Sequence, residues 1–287
     1  MTGKPLALPL WILLHTRGGA TLVEIAAAMI GEVAALLPGR PIDVMADGAY
    51  ASLARRLPTG ATLTSRRRKS AAIYEPAPSP TGRRDRRRKH GACLPTPEAL
   101  ARALPAQSCK VVHLMFRTRP ARRMPSCRPV LWYAALKEQL VLLVIVRDPD
   151  GQQPDDFFFT TDFSLGAQAV AERFANRSPI EETFRESKQV LGLEDPQSWT
   201  HAAPERALAL GFGLYSLVFT WFLTTSGTQI QAPDRPWYPN RSSISFLDAL
   251  AALRRALWPG RISARTLSGR LAADIPDERI EFLAYAA

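Results

Sequence analysis

Residues 207–225 read ALALGFGLYSLVFTWFLTT, nineteen positions without a charged side chain. A run of that length leaves few options, because a helix so built must bury its sides in protein or in lipid. The segment holds two glycines and several hydroxyls, stands alone, and follows a strongly charged stretch. The expectation is therefore a buried core helix, with a membrane span as the alternative. The 287 residues, 46% of them hydrophobic, suffice for a sizeable core and one or two domains.

Upstream, the pattern alternates. Residues 6–14 read as an apolar strand. Thr21 is placed to cap a helix over LVEIAAAMIGEVAALL, which ends at Pro38-Gly39. Strands follow at 42–46 and about 61–65, with a short helix through SLARRL. This order predicts a mixed α/β core. EPAPSPTGRRDRRRKHG reads as a loop, after which KVVHLMF, RPVLWYAAL, LVLLVIVRD and DDFFFTTD read as strands of a small β-rich insertion. Helical pattern resumes at about 165, breaks near Ser178-Pro179, and returns in an amphipathic tail, FLDALAALRRALW.

The formal charge is +11, and it is concentrated. Residues 66–128 hold 17 Lys or Arg against Glu75, Asp85 and Glu98, a net of +14; the remaining 20 basic and 23 acidic residues give −3. Such a block is expected where a chain meets a polyanion, although a solvated loop has the same composition. The three cysteines (Cys93, Cys109 and Cys127) lie far apart without a CxxC pair. They argue for a reducing compartment and against a zinc site or a disulfide framework.

The stretch FANRSPIEETFRESK carries the chemistry. On one continuous helix Arg177, Glu181, Phe184 and Lys188 would fall within about 60° of each other, while Glu182 and Glu186 would point about 100° and 140° away from Glu181. Ser178-Pro179-Ile180-Glu181 is also a capping box with proline at the first helical position, so Glu181 has an ordinary structural reading too. Asp47, at a strand end in VMADGAY, sits where α/β sheets commonly place ligands, and Asp-Gly is equally a turn former.

Together these residues resemble a family. Phe174-x2-Arg177-x3-Glu181-x6-Lys188 is similar to the Tyr-x2-Arg-x3-Glu-x6-Lys signature of DDE transposases of bacterial insertion sequences. ADGAY resembles the segment with the second catalytic aspartate. SRRRKSAAIYEP, GRRDRRRKHG, LWYAAL, VRDPDG, FFFTTD, KQVLGLEDPQSW and PWYPNRSSISFLDALAALRR resemble further landmarks in order, over about residues 4–258. The resemblance implies a ribonuclease-H-like α/β fold interrupted by a β-rich insertion. It divides into a partial core at 1–66, the basic loop and insertion at 67–160, the catalytic-Glu and buried helices at 161–226, and a helical tail at 227–287.

It also implies metal-dependent phosphoryl transfer on double-stranded DNA, the transposon ends and target. Asp47 and Glu181 would be catalytic ligands of Mg²⁺ or Mn²⁺. Arg177, Lys188, Arg66, Arg67, Arg68, Lys69, Arg86, Arg87, Arg88 and Lys89 would hold DNA. A homodimer and a cytoplasmic, nucleoid-associated location go with that reading.

Three departures qualify it. Phe174 stands for tyrosine, Ser178 for the usual tryptophan, and no acid precedes Glu24 to serve as the first catalytic aspartate. LALPLWILL resembles the third core strand, so a truncated transposase, inactive alone and with an exposed strand edge, is expected. A non-catalytic DNA-binding remnant or regulator and a membrane-associated protein remain as other readings.

Overall fold

The computed structural model describes residues 5–13, 15, 17–79, 88–104, 110–116, 119–195, 202–225, 243–265 and 284. The chain divides into two compact units, residues 15–178 and residues 1–14 with 179–287.

The first unit is built on a mixed sheet. Helix α1 (Leu22–Leu36) starts at Thr21, whose hydroxyl accepts from the Glu24 N–H while the Glu24 carboxylate accepts from the Thr21 N–H, the capping box closing both ways. Strand β1 (Ile42–Ala46) runs parallel to β2 (Ala61–Arg66), with Ile42 opposite Ala61 and Ala46 opposite Ser65. A 3-10 helix over Gly48–Arg55 makes the crossover and buries Ala51, Leu53 and Ala54. The remaining elements are β3 (Ile73–Tyr74), β4 (Cys93–Leu94), α2 (Pro97–Ala103), β5 (Val112–Phe116), β6 (Arg119–Leu131), α3 (Tyr133–Leu136), β7 (Leu140–Arg147), β8 (Asp156–Thr160) and α4 (Ala167–Ala175).

The sheet order is β1-β2-β8-β7-β6-β3-β4, with β5 paired to β6. The strands read as an insertion are thus hydrogen-bonded into the same sheet as β1 and β2. Thr64 of β2 lies opposite Thr160 of β8. RPVLWYAAL is not one strand, since β6 ends at Leu131 and residues 133–136 turn into a helix.

Both faces of the sheet are covered at β7. Val141, Leu143 and Ile145 enter one core with Leu63, Ile73, Val130, Leu136, Phe157 and Phe159. Leu142, Val144 and Val146 enter the other with Phe158, Val170, Ala171 and Phe174. That two-sided burial explains an uninterrupted apolar strand, as side chains alternate between two dry faces.

The second unit contains α5 (Pro179–Leu191), α6 (Ala203–Thr225) and α7 (Phe246–Arg265). Its core gathers Tyr215, Val218, Phe219, Phe222, Ile244, Phe246 and Ala249, with the Tyr215 and Phe246 rings stacked at 4.5 Å. Ser245 and Asp248 close a capping box at the start of α7. Gly211 lets Leu193 lie against α6: a Cβ there would meet Leu193 Cδ2 at 2.0 Å. The charge-free run is therefore a packed helix on one face. It is also long and apolar enough to cross a membrane by length and composition alone.

Residues 5–13 correct the expectation of a strand at 6–14, because they form no ladder. The Ala7 carbonyl accepts from Thr183 Oγ1 (2.7 Å) and the Pro9 carbonyl from Ser216 Oγ (2.6 Å). Helix side chains thus take the acceptors that a strand partner would use, and Pro9 has no N–H to give.

Candidate active site

Asp47 follows directly on β1 and sits at the N-terminus of the 3-10 helix without capping it through its side chain. Its carbonyl accepts from Ser65 Oγ at 2.9 Å and from the Tyr50 N–H at 2.9 Å, which fixes the backbone. Gly48 permits the tight approach, since a Cβ there would stand 3.0 Å from the Arg66 carbonyl oxygen. The Asp47 carboxylate is left to turn outward, half-exposed, and accepts from Arg177 Nη2 at 2.8 Å.

Arg177 reaches it from the turn after α4, where its N–H bonds the Phe174 carbonyl at 3.1 Å. One turn earlier Arg173 pairs with Asp43, whose other oxygen accepts from Thr62 Oγ1 at 2.9 Å. Two acids four apart along the strand edge thus meet two arginines four apart on the helix side. Asp43 and Arg173 were not singled out from the sequence. Their matched spacing was the available signal, since positions i and i+4 share a face in both elements.

The helical stripe over FANRSPIEETFRESK is interrupted. Residues 176–178 form a turn, and Ser178 Oγ donates to the Ala175 carbonyl at 3.0 Å. Arg177 therefore does not share a helix face with Glu181, a consequence of Pro179 opening a new helix. Phe174 is buried against Phe158, ring centroids 4.6 Å apart, which accounts for an apolar ring at this position.

In the other unit Glu181 is exposed in the first turn of α5, and Lys188 pairs with Glu194 in its last turn. Glu186, on the opposite side of α5, accepts from the Tyr215 hydroxyl at 2.9 Å and from the Phe246 N–H at 3.0 Å. It fastens α5 to α6 and α7. Tyr215 keeps its proton to unusually high pH, through burial first and then the neighbouring charge of Glu186.

The predicted DNA-facing cations fall into three groups. Arg66 is bound to Asp156 (2.7 Å) and lies over the Phe174 ring, and Lys69 is bound to Glu98 (3.3 Å). Arg68, Arg88 and Lys89 are exposed. Arg67 differs from the expected solvent-facing cation. It is 6% exposed, stacks on the Trp132 ring at 4.5 Å, and its three guanidinium nitrogens have no hydrogen-bond partner. Burial lowers its pKa to about 9. Alternation along β2 turned it inward with Leu63 and Ser65. Arg86 and Arg87 lie outside the described residues.

A match over residues 6–217, well over half of the chain, joins this arrangement to the transposase DDE domain. The chain belongs to that family. No curated relative matches it. A transposase DDE domain acts on DNA, and the mixed sheet with its helices is compatible with the ribonuclease-H-like fold expected of it.

The family typically uses a divalent metal, so the donors present must be tested against one. Asp47 and Glu181 have the right hard oxygens for Mg²⁺. Yet among the described residues no three ligating side chains converge, and one Asp47 oxygen is already engaged by a guanidinium. These residues by themselves do not fit a two-metal centre.

Proposed function

We propose that this chain binds duplex DNA as a transposase-family endonuclease domain, and that these 287 residues alone do not cut it. In the first unit Asp47 is the acid and Arg177 the phosphate-facing cation; in the second, Glu181 and Lys188 take those two roles. The observation that carries the reading is the ion pair between Arg177 and Asp47 at the end of β1. It places a cation with a fork geometry suited to phosphate directly beside a carboxylate.

A phosphate arriving at Arg177 must compete with Asp47 for the same donors. The pair is partly exposed, so it holds the arginine in place at little cost to its release. The exposed cations Arg68, Arg88 and Lys89 add sequence-independent attraction that weakens with salt. Support for the absence of cutting is that, among the described residues, no three ligating side chains converge. A cytoplasmic location goes with the transposase family, and the packing of one face of α6 around Tyr215 fits a core helix.

Fluorescence anisotropy with a labelled duplex over a salt series tests the binding. Affinity should fall steeply with salt, and Arg177→Ala should weaken it while reducing the slope by about one. Absence of binding at low salt would sink the DNA reading. Nicking of supercoiled DNA in Mg²⁺ or Mn²⁺ by the purified chain, abolished by Glu181→Ala, would show instead that these residues suffice for cutting.

A further inference from the structure

We infer, on the reading that the chain binds DNA, that Arg173 holds a second phosphate of the strand Arg177 contacts, and that Asp43 occupies its guanidinium until that phosphate arrives. Arg173 is no part of the Phe174-x2-Arg177-x3-Glu181-x6-Lys188 spacing. It lies in the last turn of α4, and its partly exposed side chain reaches Asp43 as that of Arg177 reaches Asp47. Four residues of helix rise about 6 Å, close to the ~6.8 Å of rise that two nucleotides of one strand cover. The two arginines are thus placed to follow one strand of a duplex.

Three arginines come to this face of the sheet, and their acids tell them apart. Arg66 lies over the Phe174 ring and is held by Asp156, whose side chain is 12% exposed. That pair braces β2 against β8. Asp43 and Asp47 are 40% and 52% exposed, so water screens both of their pairs and each arginine is released at little cost. Each pair also joins a single guanidinium nitrogen to a single carboxylate oxygen, Arg173 Nη1 to Asp43 Oδ2 and Arg177 Nη2 to Asp47 Oδ2. A guanidinium carries its several N–H donors in a planar fork, so most of each remains for a phosphate.

Thr62 keeps the exchange from stranding the acid. Its hydroxyl donates to Asp43 Oδ1 at 2.9 Å, so the carboxylate retains a donor when Arg173 turns away. Strand alternation sets Asp43 and Asp47 on one face of β1, toward Arg173 and Arg177. Two carboxylates in file thus hold the two arginines where a row of phosphates, of the same sign and a better match to the fork, can replace them. The competing role for the Arg173–Asp43 pair is a clamp that fastens α4 to β1. A clamp and a phosphate site differ in sign: loss of the acid weakens the first and unblocks the second.

The test is duplex binding by the full chain over a salt series, read by anisotropy, with a thermal melt of each variant to show that it is folded. Arg173→Ala should weaken binding about five- to tenfold and lower the salt slope by about one. Arg173→Lys should keep the slope and recover part of the affinity, since the charge stays and the fork is lost. Asp43→Asn should tighten binding about two- to fivefold, and that gain should vanish in the double variant Asp43→Asn/Arg173→Ala. A clamp would instead lower the melting temperature of both single variants and leave their affinities unchanged, which would overturn the inference. So would a gain from Asp43→Asn that survives in the double variant, because loss of negative charge alone would then explain it. A wild-type chain that binds no duplex would end the DNA reading together with this one; a chain that binds and is indifferent to Arg173→Ala would end this one alone.

Discussion

Strands β7 and β1 belong to one sheet and have opposite fates. Every residue of β7 between Val141 and Val146 is buried, because the 3-10 helix side covers one face and α4 the other. No residue of β1 is fully buried, nor is any residue of the neighbouring helix α1, although α1 is nearly free of charge. The difference is one of position. β7 has strands on both sides, while β1 ends the ladder among the described residues. The candidate carboxylate stands at the poorly packed end, where a ligand can approach. Stability is concentrated at the other.

Truncating each region should expose that contrast most strongly. Phe159→Ala, beside β7, removes a fully buried ring and should cost about 3–5 kcal/mol in urea unfolding. Val44→Ala in β1 should cost under about 1.5 kcal/mol. Equal losses would mean that the edge is covered in solution.

The next effect lies at the end of β7, where Asp148 pairs with Arg123 and both side chains are over nine-tenths buried. Asp148→Asn should destabilise by about 1.5–3 kcal/mol, because it removes the charge that accepts from Arg123 and from the Gln152 and Gln153 N–H groups. Burial alone would raise the Asp148 pKa. The N–H groups of Gln153, Asp150 and Gln152 and the charge of Arg123 outweigh it and hold the carboxyl below its ordinary range. A depressed acid stabilises fully above its unfolded pKa, near 3.9, and that contribution is lost as the pH falls through the folded value. The asparagine variant should lack this acid dependence in urea melts taken from pH 6 downward.

Arg67 should move the other way. An unpartnered buried cation opposes folding, so Arg67→Met should stabilise the chain by about 1–3 kcal/mol. With the folded pKa at about 9, below its unfolded value, the unfolded chain binds more protons above pH 9. Native stability should therefore rise with pH there relative to the methionine variant, as the cost of the charge is relieved. A destabilised methionine variant would reveal a counter-charge that meets Arg67 in solution.

The smallest change is at the edge itself. Asp47→Asn breaks a half-exposed pair and should alter stability by less than about 1 kcal/mol. It should nevertheless tighten DNA binding several-fold by releasing Arg177 and removing a negative charge, opposite in sign to Arg177→Ala. Anisotropy titrations of both variants would show whether Asp47 restrains the arginine.

What could be read from residues alone follows the range of the forces involved. The Thr21 cap, the 42–46 strand, the apolar β7 run and the break at Ser178-Pro179 are set by neighbours within a few positions, and all appear where the pattern put them. The segment LALPLWILL had the composition of a strand, but a strand needs a partner to become one, and nothing local reveals that residues 5–13 pair with none among the described residues. Joining of the insertion to the core sheet rests on β2 meeting β8 across some ninety residues, which periodicity does not register. The candidates Asp47 and Glu181 were singled out through resemblance, whereas the pairing of Asp47 with Arg177 spans 130 positions. The burial of Arg67 was hidden by its company, a run of cations that reads as surface.

That meeting of β2 and β8 has a consequence for synthesis. Residues 61–66 leave the ribosome well before 156–160 exist to cover their free side. At about 5–20 residues per second, the β1–β2 pair waits roughly 5–20 s with its inner edge unpaired. The nascent chain is therefore most open to proteases and to wrong strand partners during that interval, and a chaperone holding residues 42–66 would act then.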